Sequence, residues 1–274
     1  MGNIVSKLFD LSGKVIVVGG GAGQIGFAMA EALVDAGSKV AIVDIDIELA
    51  KRKIAGIKNK NNSRKISVYK ADVSNRDQVL SVWENIAKNC GSIYGLINSF
   101  HFKGNTRKLD TSSNFFATFE EYSEEAWDKV HDVNLKGTFL MCQAAIPYFK
   151  KIKKGVIVNV SSTYGNISPN KNIYENTGIN SPIAYASSKA AIINLTRYVA
   201  THMAEHGIRA NVLSPGGVLN DQSEDFIKKY NELTPLGRMA SAEDYQGAIL
   251  FLMSDASSYM TGANLIVDGG WTAW

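Results

Sequence analysis

The stretch Lys14-Val15-Ile16-Val17-Val18-Gly19-Gly20-Gly21-Ala22-Gly23-Gln24-Ile25-Gly26 decides the fold. Its β-branched start reads as a buried strand. The strand passes directly into glycines, and a helical pattern from Ile25 to Ala36 follows. Strand, glycine turn and helix in that order make an anion-binding corner. The glycines let the backbone turn tightly and approach a pyrophosphate, and the first helical turn offers it N–H groups. Gly20, Gln24, Ile25 and Gly26 are therefore candidate dinucleotide contacts. A turn built only for close strand–helix packing is the alternative.

Outward from this corner the alternation repeats. Extended runs lie at Lys39–Val43, Ile66–Tyr69, Gly95–Ile97, Val156–Val160, Arg209–Leu213 and Asn264–Val267. Helical stretches fall at about 76–88, 124–150, 184–206 and 243–254. Strands that are apolar on both faces and alternate with helices imply a parallel sheet covered on both sides. The expectation is a single-domain α/β fold with a doubly wound sheet over residues 1–274. Two irregular polar segments, 101–119 and 163–183, follow strands at the carboxyl side of the sheet. Open α/β folds bind ligands there, so both are expected to be active-site loops.

Composition narrows the function classes. The chain has 274 residues, 45% of them hydrophobic and 20% charged, which excludes a disordered chain. A formal net charge of +3 does not supply the concentrated basic stripe of a nucleic-acid binder. Cys90 and Cys142 show neither a partner motif nor ligand spacing. They read as reduced, buried residues, and no metal site is expected. No apolar run reaches the roughly 18 residues of a membrane span. Met1 to Asp10 lacks a secretory core, so a cytoplasmic protein is expected. Met1-Gly2-Asn3-Ile4-Val5-Ser6 fits a loose myristoylation pattern, set against a frayed polar start.

Asp44 ends the second strand. A carboxylate there accepts hydrogen bonds from an adenosine ribose and repels a 2′-phosphate, which favours NAD over NADP. The basic run from Lys51 to Lys65 argues for NADP, but Asp44 and Asp46 lie closer to the strand end. Asp72, just after the third strand, suits an adenine amino group or the capping of the next helix. Tyr185 and Lys189 stand four apart on a predicted helix and share one face. A nearby ammonium should lower the tyrosine pKa from about 10, so the pair can move a proton at a carbinol oxygen while hydride passes to or from a nicotinamide. Ser162 and Ser161 compete to donate to that oxygen. Asn134 is a polar residue in an apolar helix, either a satisfied core amide or a water-holding link toward Lys189.

From Lys14 to Gly270 the chain resembles the short-chain dehydrogenase/reductase family. The resemblance rests on the glycine turn, Asp72-Val73, Asn98, Asn134, Ser161-Ser162, Tyr185 with Lys189, and Ser214-Pro215-Gly216. Gly237-Arg238, Thr261-Gly262 and Val267-Asp268-Gly269-Gly270 add to it. It implies a Rossmann fold with a seven-stranded parallel sheet, assembled as a homodimer or homotetramer. It also implies a catalytic tetrad of Asn134, Ser162, Tyr185 and Lys189, with Lys189 and Tyr185 also at the nicotinamide ribose. Val73, Asn98, Pro215, Gly216, Val218 and Asn220 are implied as further cofactor contacts. The chain departs from the common pattern at Gly19 for threonine, Gln24 for the middle glycine, Ser99-Phe100-His101 for Asn-Ala-Gly, and Asn220 for threonine.

The stretch between Ser162 and Tyr185 is long and carries Tyr164, Asn166, Asn170, Asn172, Tyr174, Glu175, Asn176 and Asn180. A loop this polar suits a small, polar, hydroxyl-rich substrate, with rings packing on a sugar face and amides reading its hydroxyls. His101, Tyr164 and Tyr174 are the candidate substrate residues. The loop, Thr234-Pro235-Leu236-Gly237-Arg238-Met239 and the ending Gly270-Trp271-Thr272-Ala273-Trp274 resemble a bacterial subgroup of flagellin-modification and surface-polysaccharide oxidoreductases. That resemblance implies a sugar phosphate or nucleotide sugar as substrate. The expected activity is NAD-dependent interconversion of a secondary alcohol and a ketone. A redox-neutral sugar-nucleotide epimerase or dehydratase and a non-catalytic cofactor-sensing scaffold are the rival readings. Trp271 and Trp274 are expected at a subunit interface or as a plug within one chain.

Overall fold

The computed structural model describes residues 3–102, 115–175 and 180–274. Met1-Gly2, most of the first expected loop and Asn176 of the second lie outside the described residues. The strands are β1 (Val15–Gly19), β2 (Lys39–Asp44), β3 (Ile66–Lys70), β4 (Ile93–Asn98), β5 (Gly155–Val160), β6 (Ile208–Pro215) and β7 (Asn264–Val267). They form one parallel sheet of seven strands in the order β3-β2-β1-β4-β5-β6-β7. β1 pairs with both β2 and β4, so the loops after β1 and β4 leave the sheet in opposite directions and open a crevice between them.

In chain order the helices are α1 (Ile4–Leu8), α2 (Gln24–Asp35), α3 (Ile47–Gly56), α4 (Lys60–Ser63) and α5 (Arg76–Cys90). They continue with α6 (Glu124–His131), α7 (Gly137–Ile152), α8 (Ile183–Met203), α9 (Glu224–Glu232) and α10 (Gln246–Met253). Alternation along β1 creates two cores. Ile16 and Val18 pack with α2, α3 and α10, whereas Val15 and Val17 pack with α5, α7 and α8. Among the described residues, Asn3 caps α1 by accepting from the N–H of Val5. The long helix expected at 124–150 is interrupted by a π-helical turn at Asp132–Lys136, which holds Asn134. Turns of this kind are frequent at functional sites.

The unusual residues after β1 and β4 compensate for one another. A Cβ on Gly19 would meet the Phe100 ring at 3.0 Å, and one on Gly137 would meet it at 3.2 Å. The Phe100 ring thus fills space that the small residues at 19 and 137 leave open. Gly20 has φ +74°, and a Cβ there would lie 2.6 Å from the Phe100 nitrogen, so only glycine fits this crossing. Gly19→Thr is expected to cost about 1–3 kcal/mol through overpacking. Combining it with Phe100→Ala should recover at least about 0.5 kcal/mol of coupling in a urea-unfolding cycle. Strict additivity would contradict the compensation.

Candidate active site

A cleft of about 710 Å³ opens at the carboxyl ends of β1, β2, β4, β5 and β6. Its floor at one end is the glycine turn. Gly23 is the N-cap of α2 and supplies no side chain, so the N–H groups of Gln24, Ile25 and Gly26 begin the helix without intrahelical partners. A Cβ on Gly26 would lie 2.3 Å from the Gly20 oxygen, which fixes how closely the helix approaches the turn. Position 24, where the family pattern has a glycine, is the first residue of α2. Gln24 instead donates through Nε2 to the Leu219 oxygen at 2.9 Å, across the cleft mouth. Asp44 accepts from the N–H of Ala22 at 2.9 Å and of Asp46 at 3.0 Å. Asp72 binds the N–H and hydroxyl of Ser74, while Asn75 caps α5. Asp72, Val73, Pro215, Gly216, Val218 and Asn220 line the same cleft. The bare backbone cradle, the uncapped helix start and the two carboxylates fit a dinucleotide.

At the other end Ser162, Tyr185 and Lys189 converge with His101, Tyr164 and Tyr174. The two serines separate here. Ser161 donates to the Lys189 oxygen at 2.7 Å and is spent on α8. Ser162 faces the cleft, hydrogen-bonds Tyr185 and accepts from the N–H of Tyr164. The His101 ring lies edge-on to Tyr185 with centroids 5.7 Å apart. Tyr164 and Tyr174 hydroxyls are 3.0 Å apart.

Asn134 and Asn98 are absent from the described cleft lining. Asn134 is fully buried; it accepts from the N–H of Phe102 at 2.7 Å and donates to Ser188 at 2.9 Å. Asn98 donates to Asn159 at 2.8 Å, and Asn159 donates to Thr196, forming a buried polar ladder across β4, β5 and α8. Sequence reasoning missed α9, which adds Phe226 and Tyr230 to the cleft. Its signal was legible: Ser223 followed by Glu224 and Asp225, then apolar residues at 226, 227 and 230. Trp271 is buried within the chain, stacked on Tyr230 at 4.1 Å, as the plug reading expects. Trp274 remains largely exposed.

A family model described as Enoyl-(Acyl carrier protein) reductase matches residues 20–272. The 2-(S)-hydroxypropyl-CoM dehydrogenase 3 of Xanthobacter autotrophicus is 32% identical over 96% of this chain and 98% of its own. The D-threitol dehydrogenase of Mycolicibacterium smegmatis is 31% identical over 96% and 95%. Post-translational flagellin modification protein A of Campylobacter coli is 29% identical over 95% and 99%. Among solved structures, a short chain dehydrogenase from Leptospira borgpetersenii with bound NAD+ superposes with a TM-score of 0.83 at 33% identity, covering 99% of this chain and 97% of the other. A gluconate 5-dehydrogenase from Burkholderia cenocepacia, in complex with NADP and tartrate, gives 0.85 at 25% identity over 98% and 99%. The chain belongs to the short-chain dehydrogenase/reductase family. It is an oxidoreductase acting on CH–OH groups. Among the described residues, no helix is long and apolar enough to cross a membrane.

In this short-chain dehydrogenase, burial dominates the Tyr–Lys pair. Desolvation raises the Tyr185 pKa, and the hydrogen bond from Ser162 only partly offsets it. The expected lowering by Lys189 does not appear. The Lys189 Nζ lies 5.6 Å from the Tyr185 ring centroid and donates to the Val160 oxygen at 2.8 Å. Desolvation brings its pKa down to about 7. Tyr185 is therefore held as a neutral phenol, ready to donate a proton. An unfolded lysine keeps its proton to about pH 10.4. The unfolded chain thus binds more protons than the folded one between about pH 7 and 10, and stability from this group rises with pH through that window. The Lys189→Met variant should gain most over wild type below pH 7, with the gain shrinking toward pH 10 in urea unfolding. A pH-independent difference would contradict a buried, easily deprotonated amine.

Proposed function

We propose that the protein is an NAD-preferring oxidoreductase that interconverts a secondary alcohol and a ketone on a polyhydroxylated, sugar-type substrate. The convergence of Ser162, Tyr185 and Lys189 at the end of a dinucleotide-shaped cleft carries this reading. The bound nicotinamide would supply or accept the hydride. Gly20, Gln24, Ile25 and Gly26 would hold the pyrophosphate, Asp44 the adenosine ribose, and Asp72 with Val73 the adenine. Lys189 and the Pro215-to-Asn220 loop would hold the nicotinamide half.

In the reducing direction Ser162 donates to the carbonyl oxygen as charge develops there, and Tyr185 delivers its proton to that oxygen. In the oxidising direction the carbinol proton returns to Tyr185. Lys189 would hold the ribose beside Tyr185. Asn134 acts through others: it positions α8 through Ser188 and the segment after β4 through Phe102. The segments 101–119 and 163–183 serve as the active-site loops of a single domain. Asp44 is the basis for preferring NAD, because its carboxylate is fixed beside the glycine turn where a 2′-phosphate would be repelled.

The sugar-type substrate is supported by relatives named for threitol, glycerol and sorbose. A phosphorylated or nucleotide-linked sugar for a surface glycan is favoured by one relative, the Campylobacter coli flagellin modification protein. A cytoplasmic homodimer or homotetramer fits this role. Tyr185→Phe should lower turnover at least about 100-fold, within the range for losing a positioned proton donor, while NADH fluorescence on binding stays close to wild type. Near-normal turnover by that variant would remove Tyr185 from the mechanism.

A further inference from the structure

The insertion between Ser162 and Tyr185 divides its work in an unexpected way. Three of its described asparagines anchor the loop to itself and to its neighbours. Asn166 donates to the Ser162 oxygen and accepts from Asn264, Asn170 caps the turn Lys171–Tyr174, and Asn180 donates to the Phe116 oxygen. Among the described residues of the insertion, only Thr163, Tyr164 and Tyr174 line the cleft. The amides therefore shape the loop, and the tyrosines face the substrate.

Tyr164 and Tyr174 present a paired set of hydroxyls, 3.0 Å apart, in which either oxygen can be the donor. The Tyr174 ring packs against Phe226 at 5.7 Å, and Phe226 continues through Tyr230 to Trp271. Lys229 ties α9 to the insertion by donating to the Glu175 oxygen at 2.7 Å. The pair is thus held from behind by an aromatic stack that reaches the chain's end. Burial raises the pKa of both phenols, Tyr174 to about 12, and each phenol feels Tyr185. They remain neutral and close to the reacting centre. No arginine lines the cleft among the described residues; of its lysines, Lys189 donates to Val160 and Lys129 is exposed.

We propose that the Tyr164–Tyr174 hydroxyl pair binds a second, neutral hydroxyl of the substrate, adjacent to the carbon that reacts at Tyr185. This inference rests on Tyr185 being the proton donor. A pair that can give or take a hydrogen bond matches an alcohol, which does both. A substrate lacking that hydroxyl leaves the buried pair against an alkyl group, and a site with buried polar groups discriminates strongly against such analogues. The enzyme would then be selective for vicinal diols and α-hydroxy ketones over simple secondary alcohols.

Butane-2,3-diol and butan-2-ol differ by this one hydroxyl and make the test. The NADH-loaded wild type should be thermally stabilised by the diol and not by the mono-ol at equal concentration. Tyr164→Phe should abolish that shift and lower kcat/KM for the diol about 10–100-fold, the range expected for an unsatisfied buried hydroxyl. Its kcat/KM for butan-2-ol should fall by a smaller factor than that for the diol. Tyr174→Phe should behave likewise and replaces Tyr164→Phe should that variant not fold. Tyr185→Phe should keep the diol-induced shift and lose turnover of both alcohols. A diol shift retained in both tyrosine-pair variants, equal losses on both alcohols, or no diol shift in the wild type would overturn the inference. Turnover retained in Tyr185→Phe would instead overturn the proton-donor reading, whatever the pair variants do.

Discussion

The side-chain amide of Asn134 joins the two walls of the cleft, and the geometry of the site depends on it. It accepts from the N–H of Phe102 on one side and donates a hydrogen bond to Ser188 on the other. Ser188 lies between Tyr185 and Lys189 on α8; Phe102 follows His101 and Phe100, which crosses the glycine turn. One fully buried residue therefore sets the distance between the helix that carries the proton-moving groups and the segment that borders the dinucleotide end. Inside the protein such a bond is strong, and breaking it strands a buried donor. The π turn at Asp132–Lys136 aims this amide into the gap, which accounts for an irregularity in an otherwise long helix.

The second constraint is desolvation. Lys189 is almost fully buried, and its amine meets a main-chain oxygen rather than a carboxylate. Burial alone therefore moves the lysine down and the tyrosine up. Spacing on a helix says that two groups are neighbours. It does not say how much water remains around them, and here that decides the direction of the shift. A protonated Tyr185 suits delivery of a proton to a ketone.

Much of the fold was legible in the sequence because the strands are rich in β-branched residues and the five inner ones are largely buried on both faces. All seven strands and the glycine corner follow from that pattern. α3 was harder, because it buries only Ala50 completely; α9 went unplaced although its Ser223 cap and apolar positions 226, 227 and 230 stand in the sequence. From pattern alone Ser162 was not separable from Ser161; the family resemblance chose Ser162, and in three dimensions Ser161 is spent on the Lys189 oxygen. Gly19 and Phe100 read as two departures from a pattern, yet they form one packing solution between positions distant in sequence. Trp271 looked adhesive because its stacking partner, Tyr230, lies on a helix the sequence reading did not place. The polar character of the insertion was visible, but not that Asn166, Asn170 and Asn180 would anchor the loop.

The central claim is that the cleft between the glycine turn and the Pro215-to-Asn220 loop is a dinucleotide site selected by Asp44. Calorimetric titration of the purified protein with NADH and, separately, NADPH tests it without any assumption about substrate. Saturable binding of one NADH per chain and markedly weaker binding of NADPH are expected. Absence of binding by either nucleotide would contradict the cleft assignment, and tighter binding of NADPH would contradict the role given to Asp44.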